Sequence, residues 1–266
     1  MNTVLKYYEG YDEEKRITTD NARKTEFYVT TTVLNEHIKP FNRILELGAG
    51  TGVYSFYYAE KGNEVVATDL SPKHVQIMKQ KLEEQDKALR LSIELADAVD
   101  LSPFKDESFD VVNCLGPMYH LKEKESREKC ISECLRVLKP GGLLAISYIN
   151  KHYIIHGVLA NQKEFFNKAF TDGIMSTGTH KDGGDNCFFT VAYFTSPSEM
   201  EDFIGNFNAD IVDHVATDNI GTLLRSHIDE LSEEQYNAYL DYAIKSCRDK
   251  SIMGLSNHGL LICRKK

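Results

Sequence analysis

Residues 44–52, which read ILELGAGTG, constrain the fold of this chain more than any other segment. An apolar run typical of a buried strand leads into Gly48, Gly50 and Gly52, and a helix-like pattern follows. Glycines at a strand-to-helix turn let a ligand approach the backbone where any Cβ would clash. The segment therefore predicts a βα unit whose turn binds a ligand.

The spacing of the glycines and one neighbouring acid restrict which nucleotide the turn can bind. The dinucleotide fingerprint is G-x-G-x-x-G, and Val53 occupies the place of its third glycine. Glu46 lies just before the turn, where its charge would oppose a diphosphate and favour the ammonium of an amino acid. An adenosine ligand with an amino-acid tail, such as S-adenosylmethionine, therefore fits better than NAD.

Strand-like and helix-like segments alternate along the rest of the chain. We predict helices over 53–61, from Ser71-Pro72 onward and over 123–138, and strands over 43–47, 64–68, 90–95, 109–114, 143–149, 211–216 and 259–263. Such alternation with apolar strands predicts an α/β fold whose parallel sheet is covered on both faces. Ligands then bind at the carboxyl ends of the strands, near the switch in strand order.

The pattern divides the chain into four parts. Residues 1–40 form an N-terminal lid or helical segment, 41–150 a Rossmann-like core, 151–195 an insertion after the fifth strand, and 196–266 the rest of the core. In the insertion we predict a short helix over 161–170 and a strand over 188–194. The capping-box patterns at Ser196 and Ser232 mark where helices begin again.

The charge and hydropathy of the chain argue against two classes of partner. The chain has 40 acidic and 31 basic residues, a formal net charge of -9, and its only dense basic run is 264–266. Nucleic-acid surfaces usually show basic clustering, so we expect no nucleic-acid partner. The first sixteen residues lack the apolar core of a signal peptide, and no apolar run has the length of a bilayer span. We expect no membrane partner and a cytoplasmic location.

The cysteines and histidines do not predict a metal site. The six cysteines contain no C-x-x-C pair, and Cys130 and Cys134 have an i, i+4 spacing that helix geometry alone explains. His152 and His156 have the same spacing but no third ligand nearby. We expect reduced cysteines in packing roles and no bound metal.

Five ordered motifs, covering about 110 residues, resemble the class I S-adenosylmethionine-dependent methyltransferases. The motifs are ELGAGTG, EVVATDLS, LADAVDL, FDVVNCLGPMYHL and RVLKPGGLLAIS. The form LGPMYHL, the aromatic and acidic N-terminal segment and the ending MGLSNHGLLICRKK are most similar to the ubiquinone/menaquinone-biosynthesis methyltransferases. The resemblance implies a Rossmann-like, doubly wound, seven-stranded sheet of order 3-2-1-4-5-7-6 with an antiparallel last strand.

The resemblance implies a set of cofactor-binding residues. Asp69 would hold both ribose hydroxyls, because an ionised carboxylate can accept from two O–H donors; its alternative role is helix capping, which Ser71 fills better. Glu46 would contact the methionine moiety, or else pair with a base such as Arg43. Asp97 would accept from the adenine amino group, or be a turn residue. The remaining positions implied by the resemblance are Gly48, Ala49, Gly50, Gly52, Leu70, Ala98, Leu115 and Gly116.

Some residues outside these motifs are candidates for closing the site. Tyr11, Arg16 and Tyr28 are predicted to fold over the cofactor, with Arg16 as a partner for its carboxylate. Surface pairing of Arg16 with the acids at 12–14 is the alternative. His258 begins the last strand, and we expect it at the opposite end of the sheet in a structural role.

Two residues after the fourth strand are the candidates for catalysis. His120 is the candidate general base and Tyr119 lies beside it; a structural histidine at the start of the next helix is the alternative. A base is needed only if the acceptor must lose a proton. His152, Tyr153 and His156, at the start of the insertion, are either acceptor contacts or surface residues.

The fourth motif and the insertion indicate the class of acceptor. The motif is not the N/D/S-P-P-Y/F of methyltransferases that act on amino groups of nucleic acids and proteins, so we predict a small-molecule acceptor. The aromatics of the insertion suggest an apolar acceptor pocket, but buried packing explains them equally well; they are Phe165, Phe166, Phe170, Phe188, Phe189 and Phe194. A homodimer contact through the insertion is also open.

Two other functions remain open on the sequence alone. A non-catalytic module that senses S-adenosylmethionine or S-adenosylhomocysteine would need the same cofactor motifs, because those motifs do not prove turnover. An NAD-dependent oxidoreductase would share the ribose carboxylate, although Glu46 and Val53 argue against it.

Overall fold

The computed structural model describes residues 19–179 and 192–266. These residues form a mostly parallel sheet with helices on both of its faces. The strands are β1 (Arg43–Leu47), β2 (Glu64–Asp69), β3 (Leu91–Leu95), β4 (Phe109–Cys114), β5 (Leu138–Asn150), β6 (Phe194–Thr195), β7 (Ala209–Ala216) and β8 (His258–Lys265). Their order is β3-β2-β1-β4-β5-β8-β7, with the short β6 beside the end of β5.

This order confirms the predicted topology. Strand β8 is antiparallel to both β5 and β7, as expected for the last strand, whereas β1 to β6 pair in parallel. The two-residue strand β6 adds an eighth strand to the predicted seven-stranded sheet, and it overlaps only the end of the strand predicted over 188–194. The strand order reverses between β1 and β4, which is where an open α/β sheet forms its ligand crevice.

Helices occupy the connections between the strands. They are α1 (Asn21–His37), α2 (Val53–Glu60), α3 (Pro72–Glu83), α4 (Lys124–Val137), α5 (Lys151–Asn161), α6 (Lys168–Thr177), α7 (Pro197–Ile204), α8 (Arg225–Asp229), α9 (Glu233–Ser246) and α10 (Lys250–Met253). Within the described residues, 3-10 helices span Pro117–His120 and Lys163–Phe165.

Alternate residues of each strand supply two apolar cores, one on each face of the sheet. Ile44 packs in a cluster with Val33 of α1 and with residues of α2, α3 and α9. Its neighbour Leu45 packs in the other cluster, with Ile131 of α4 and Met200 of α7. Because successive side chains of a strand point to opposite faces, the continuous apolar run of β1 serves both cores.

Local capping chemistry sets several helix ends as the sequence predicts. Ser71 caps α3, with Pro72 at the first helical position. Ser196 and Ser232 form capping boxes with Glu199 and Gln235. These side chains satisfy backbone N–H groups that the first turn of a helix leaves without a partner.

The structure corrects the boundaries of two predicted elements. Strand β5 begins at Leu138 rather than at 143, because the pairing with β4 already starts at Leu138 and Phe109. The predicted helix over 161–170 is wrong, since a break at Gln162 separates α5 from α6. The side chains of Asn150 and Asn167 cap these two helices, a role that the search for apolar periodicity overlooked.

The insertion has a small apolar core of its own. Phe170 and Phe194 are buried in it together with Ile149 at the end of β5, and Phe165 and Phe166 pack against it. Phe188 and Phe189, in the predicted strand over 188–194, lie outside the described residues, and β6 covers only the end of that range. Packing is therefore the observed role of the buried pair.

Helix α1 is joined to the C-terminal part of the chain. The hydroxyl of Tyr236 donates to the backbone oxygen of Asn21 at 2.9 Å and lies 3.2 Å from Thr25 Oγ1. The backbone N–H of Ala22 donates to Asp229 Oδ1 at 3.2 Å. The helical portion of the predicted N-terminal segment is thus docked against α8 and α9.

The helices of the described residues do not include a membrane span. None of the helices in 19–179 and 192–266 combines the length and the apolar character that crossing a bilayer requires.

We predict that Gly259→Ala lowers the free energy of unfolding by about 1–3 kcal/mol through overpacking. A Cβ at Gly259 would stand 2.2 Å from Cζ of Tyr148. That ring cannot easily move, because its hydroxyl hydrogen-bonds to His214 Nε2 at 2.8 Å and its side chain is buried. Chemical unfolding followed by circular dichroism measures the change.

The matched control is Gly254→Ala. Gly254 has φ -64°, and the atom nearest to an added Cβ is an oxygen of Ser251 at 3.7 Å. Alanine there should leave the stability unchanged or raise it slightly. Equal unfolding curves for the two variants would contradict this account of the β5–β8 contact.

Candidate functional site

A cavity of about 350 Å³ opens at the carboxyl ends of β1, β2 and β4. Its volume lies within the range of small-molecule sites. The predicted site residues that line it are Glu46, Gly48, Ala49, Gly50, Asp69, Leu70, Asp97, Ala98, Leu115, Gly116, Tyr119 and His120. The structure therefore brings together residues that are up to 74 positions apart, counting from Glu46 to His120.

Two predicted cofactor residues, Gly52 and Tyr28, lie within the described part of the chain but do not line the cavity. Gly52 is the N-cap of α2, and its φ of 89° is a left-handed conformation that favours glycine. Its role is therefore in the conformation of the turn. Tyr28 lies on α1 with 43% of its surface exposed. Tyr11 and Arg16 lie outside the described residues.

Two glycines from different turns approach each other at the floor of the cavity. Gly48 has φ 65°, and a Cβ there would stand 3.1 Å from Cδ of Pro117. A Cβ at Gly116 would stand 3.2 Å from the backbone oxygen of Gly48. Side chains at either position would push the β1–α2 turn away from the end of β4 and fill the cavity between them.

Asp69, the last residue of β2, connects the two turns on this side of the sheet. Its Oδ2 accepts the backbone N–H of Gly50 at 2.8 Å, and its Oδ1 accepts the N–H of Ser71 at 2.8 Å. The carboxylate is 8% exposed. Asp69 is therefore held at the cavity wall by the same turns that it joins, and the capping role belongs to Ser71.

Glu46 is buried below the glycine turn, and no base in residues 19–179 or 192–266 forms an ion pair with it. Ser55 of α2 donates a short hydrogen bond to its carboxyl, while Arg43, the suggested partner, pairs with Glu64 at 2.8 Å. Burial raises the pKa of Glu46 to about 8, an effect that the hydrogen bond from Ser55 opposes and the negative charge of Asp69 reinforces. The carboxyl of Glu46 is thus mostly protonated at neutral pH.

Asp97 lines the cavity from the turn after β3, the strand next to β2 in the sheet. Its Oδ1 accepts the backbone N–H of Val99 at 3.1 Å, a turn contact that its alternative role predicts. Leu70 and Ala98 lie beside it on the wall, and both are partly exposed. The turn hydrogen bond holds the Asp97 carboxylate at the edge of the cavity.

The two catalytic candidates lie on the 3-10 helix after β4. The rings of Tyr119 and His120 meet edge to face with centroids 4.7 Å apart. Tyr119 also packs against the core of the insertion, and its backbone oxygen accepts the N–H of Tyr193 at 2.8 Å. The insertion and the cavity therefore share this aromatic wall.

His74 is the most informative residue that sequence reasoning missed. It lines the cavity, is 3% exposed, and places Nδ1 3.3 Å from Oδ1 of Asp69. It lies in the first turn of α3, five residues after Asp69, so its spacing from the acid was a usable signal. Tyr54, Ser71 and Ser126 also line the cavity without having been predicted.

The predicted placement of His258 is wrong. Because β8 is antiparallel, its first residue pairs with Ile149 at the carboxyl end of β5, on the cavity side of the sheet. Its ring lies 6.3 Å from the ring of Tyr119, and its Nδ1 lies 2.9 Å from Oδ2 of Asp218. His258 thus lies at the end of the sheet where the cavity opens.

The histidines of the insertion differ in burial. His152 is partly buried at the start of α5, where burial and the charge of Lys151 lower its pKa. His156 is exposed, one turn later. Neither of them, nor Tyr153, is among the side chains that line the cavity.

Comparison with known proteins identifies relatives of the central segment. Residues 45–146 match the family described as a methyltransferase domain. The demethylmenaquinone methyltransferase of Clavibacter sepedonicus is 41% identical over 104 residues, which are 39% of this chain and 40% of that protein. The erythromycin 3''-O-methyltransferase of Saccharopolyspora erythraea is 36% identical over 110 residues, 41% of this chain and 35% of that protein. The match thus spans about two fifths of these relatives or less.

A solved structure is similar over nearly the whole chain. It is the magnesium protoporphyrin IX methyltransferase of Synechocystis PCC 6803 with bound SAH, with a TM-score of 0.57 and 16% identity. The likeness covers 98% of this chain and 92% of that one. At this identity it supports the fold alone.

We predict that His74→Leu weakens the binding of S-adenosylhomocysteine about tenfold, because a hydrogen bond to a charged group contributes about 1.5–3 kcal/mol. His74→Asn places an amide donor near the position of Nδ1 and should change the affinity less than threefold. Leucine and asparagine are both uncharged and similar in size, so the two variants differ mainly in this donor. Isothermal titration calorimetry measures the two affinities. Equal losses in the two variants would show that His74 fills space and does not orient Asp69.

Proposed function

We propose that the protein transfers the sulfonium methyl group of S-adenosylmethionine to a small molecule, on the basis of the match of residues 45–146 to the methyltransferase-domain family. The observation that carries the proposal is the meeting of Glu46, Asp69 and the Gly48–Gly116 contact in one cavity at the switch in strand order. An adenosine group and a cationic amino-acid group would find acceptors in the same space.

The donor set of the cavity fits this cofactor. Asp69 would accept from the ribose hydroxyls and Asp97 from the adenine amino group, while Glu46 would face the amino-acid end. The approach of Gly48 and Gly116 leaves a cradle that a Cβ would fill. Carboxylates suit a ligand with a sulfonium and an ammonium, whereas they would repel the diphosphate of NAD.

The chain has to align the reaction more than it has to activate it. S-adenosylmethionine supplies a methyl group already activated by its sulfonium. Fixing the acceptor in line with that methyl group is worth roughly 7–11 kcal/mol in favourable cases. The 3-10 helix with Tyr119 and His120 is where we propose that the acceptor is held, with His120 taking a proton from an acceptor that must lose one.

The insertion over 151–195 is proposed as the acceptor lid. Its apolar core packs against Tyr119. The backbone N–H of Tyr193, near the C-terminal end of the insertion, donates a hydrogen bond to the backbone oxygen of Tyr119 in the cavity wall. The named relatives act on a menaquinone precursor and on an erythromycin, which supports a small, largely apolar acceptor here. A lid formed by Tyr11 and Arg16 stays a prediction.

The location, the partners and the oligomeric state of the protein are part of the proposal. We propose a cytoplasmic enzyme that acts without nucleic acid or membrane and that forms a homodimer if the insertion pairs between copies. Sedimentation of the purified chain measures the oligomeric state directly.

We predict that the purified protein, given S-adenosylmethionine and a small-metabolite extract, produces at least one compound heavier by a methyl group. Mass spectrometry detects the product. Asp69→Ala should abolish it by removing the ribose acceptor, whereas Asp86→Ala, an exposed acid away from the cavity, should leave it unchanged. Binding of S-adenosylhomocysteine without any methylated product would favour a non-catalytic module, and binding of NADH alone would favour an oxidoreductase.

We predict that binding of S-adenosylmethionine at pH 7 releases a proton from Glu46. The pKa of this carboxyl is about 8 in the free protein, and a nearby cationic ligand favours its ionised form and lowers that pKa. The affinity should therefore rise with pH up to about 8 and level off above it, where Glu46 is already ionised. Calorimetry in buffers of different ionisation enthalpy measures the release. Glu46→Gln should abolish it, and an unchanged release in that variant would contradict the assignment.

A further inference from the structure

Three cysteines from two elements converge in the core beneath the cavity. Cys114 ends β4, and Cys130 and Cys134 lie one turn apart on α4. All three side chains are fully buried, and their sulfurs lie within 4.8 Å of one another. The Sγ atoms of Cys114 and Cys130 are 3.9 Å apart.

The sequence did not predict this arrangement. Helix geometry accounts for Cys130 and Cys134 facing the same way, but it does not account for a third sulfur from a strand 16 residues before Cys130. The sequence argued against a metal site at the cysteines because they contain no C-x-x-C pair and because helix geometry explains the i, i+4 spacing. The fold brings a third sulfur to this helix face where β4 packs against α4.

The geometry of the three sulfurs matches a trigonal ligand set. A metal bound at about 2.3 Å by three coplanar sulfurs holds them about 4 Å apart. The Cys114–Cys130 separation of 3.9 Å already has this value, and the limit of 4.8 Å on the other separations is less than about 1 Å from it.

The surroundings of the sulfurs select the kind of ion. Val112, Met118 and Ile131 belong to the same buried apolar cluster as the three cysteines. Sulfur ligands favour soft cations such as Cu(I), whereas Mg²⁺ and Ca²⁺ require oxygen ligands. Structural zinc usually takes four ligands, whereas the set has three among the residues that the structure describes.

Charge balance also favours a monovalent ion. A cation M⁺ that binds three thiols with loss of one proton gives a unit of one thiolate, two thiols and the ion, which is neutral overall. A neutral unit avoids the cost of burying a net charge in an apolar core.

We propose that Cys114, Cys130 and Cys134 form a binding site for a soft monovalent cation of the Cu(I) type. The site is separate from the cavity, because none of the three cysteines lines it. Its nearest link to the cavity is the chain itself, since Cys114 immediately precedes Leu115 and Gly116. The proposal does not depend on methyl transfer.

The test is an anaerobic titration of the reduced, full-length protein with Cu(I) in competition with a chromophoric Cu(I) chelator. We expect one equivalent to be retained by the protein. Cys130→Ser and Cys134→Ser should each lower the affinity at least about tenfold, as loss of support around a metal does. Cys247→Ser is the matched control, since Cys247 is equally buried, lies outside the set and belongs to the apolar cluster on the other face of the sheet.

Two further measurements keep the result interpretable. Circular dichroism and binding of S-adenosylhomocysteine establish that each variant is folded, and Cys130→Ala replaces any serine variant that is not. X-ray absorption at the copper edge should give three sulfur neighbours in the wild type. Failure of the wild type to retain Cu(I), or equal losses in the cluster and control variants, would overturn the proposal and leave the cysteines as packing residues.

Discussion

The carboxylate of Asp69 joins the two turns between which the cavity lies. One oxygen accepts the N–H of Gly50 in the β1–α2 turn, and the other accepts the N–H of Ser71 at the start of α3. Because both donors are backbone groups, the acid fixes the path of the chain as well as its own position. The glycine turn then stands against the end of β4, where Gly116 leaves room for it.

A second acid beside this junction gives the cavity its electrostatic character. Glu46 is buried next to Asp69, and the cost of burying two charges together is relieved by keeping Glu46 protonated. A ligand with positive charge at this point would reverse that balance, whereas a phosphate would make it worse. The preference for a cationic adenosyl ligand therefore follows from burial and from the spacing of two carboxyl groups.

Much of this architecture could be predicted because its signals are local. The apolar strands, the glycine turn and the caps at Ser71, Ser196 and Ser232 each depend on neighbours within a few residues, and the structure has them. The match of residues 45–146 to the methyltransferase-domain family agrees with the resemblance that the motifs show. The cavity-lining acids were found because the ends of parallel strands meet at one edge.

The residues that were missed or misplaced depend on contacts between distant parts of the chain. His258 was assigned to the wrong end because the direction of β8 reverses which of its ends faces the cavity. The third sulfur beside Cys130 and Cys134 comes from another element, which no helical spacing reveals. The helices of the insertion begin at the N-caps Asn150 and Asn167. Their boundaries were missed because the apolar periodicity of this part of the sequence is weak.

The most direct test of the central claim is a crystal structure of the protein with S-adenosylhomocysteine. We predict ribose hydroxyls on the carboxylate of Asp69 and the amino-acid end of the ligand on the side of Glu46. A ligand that binds elsewhere, or a diphosphate held against the glycine turn when NADH is supplied instead, would contradict the account.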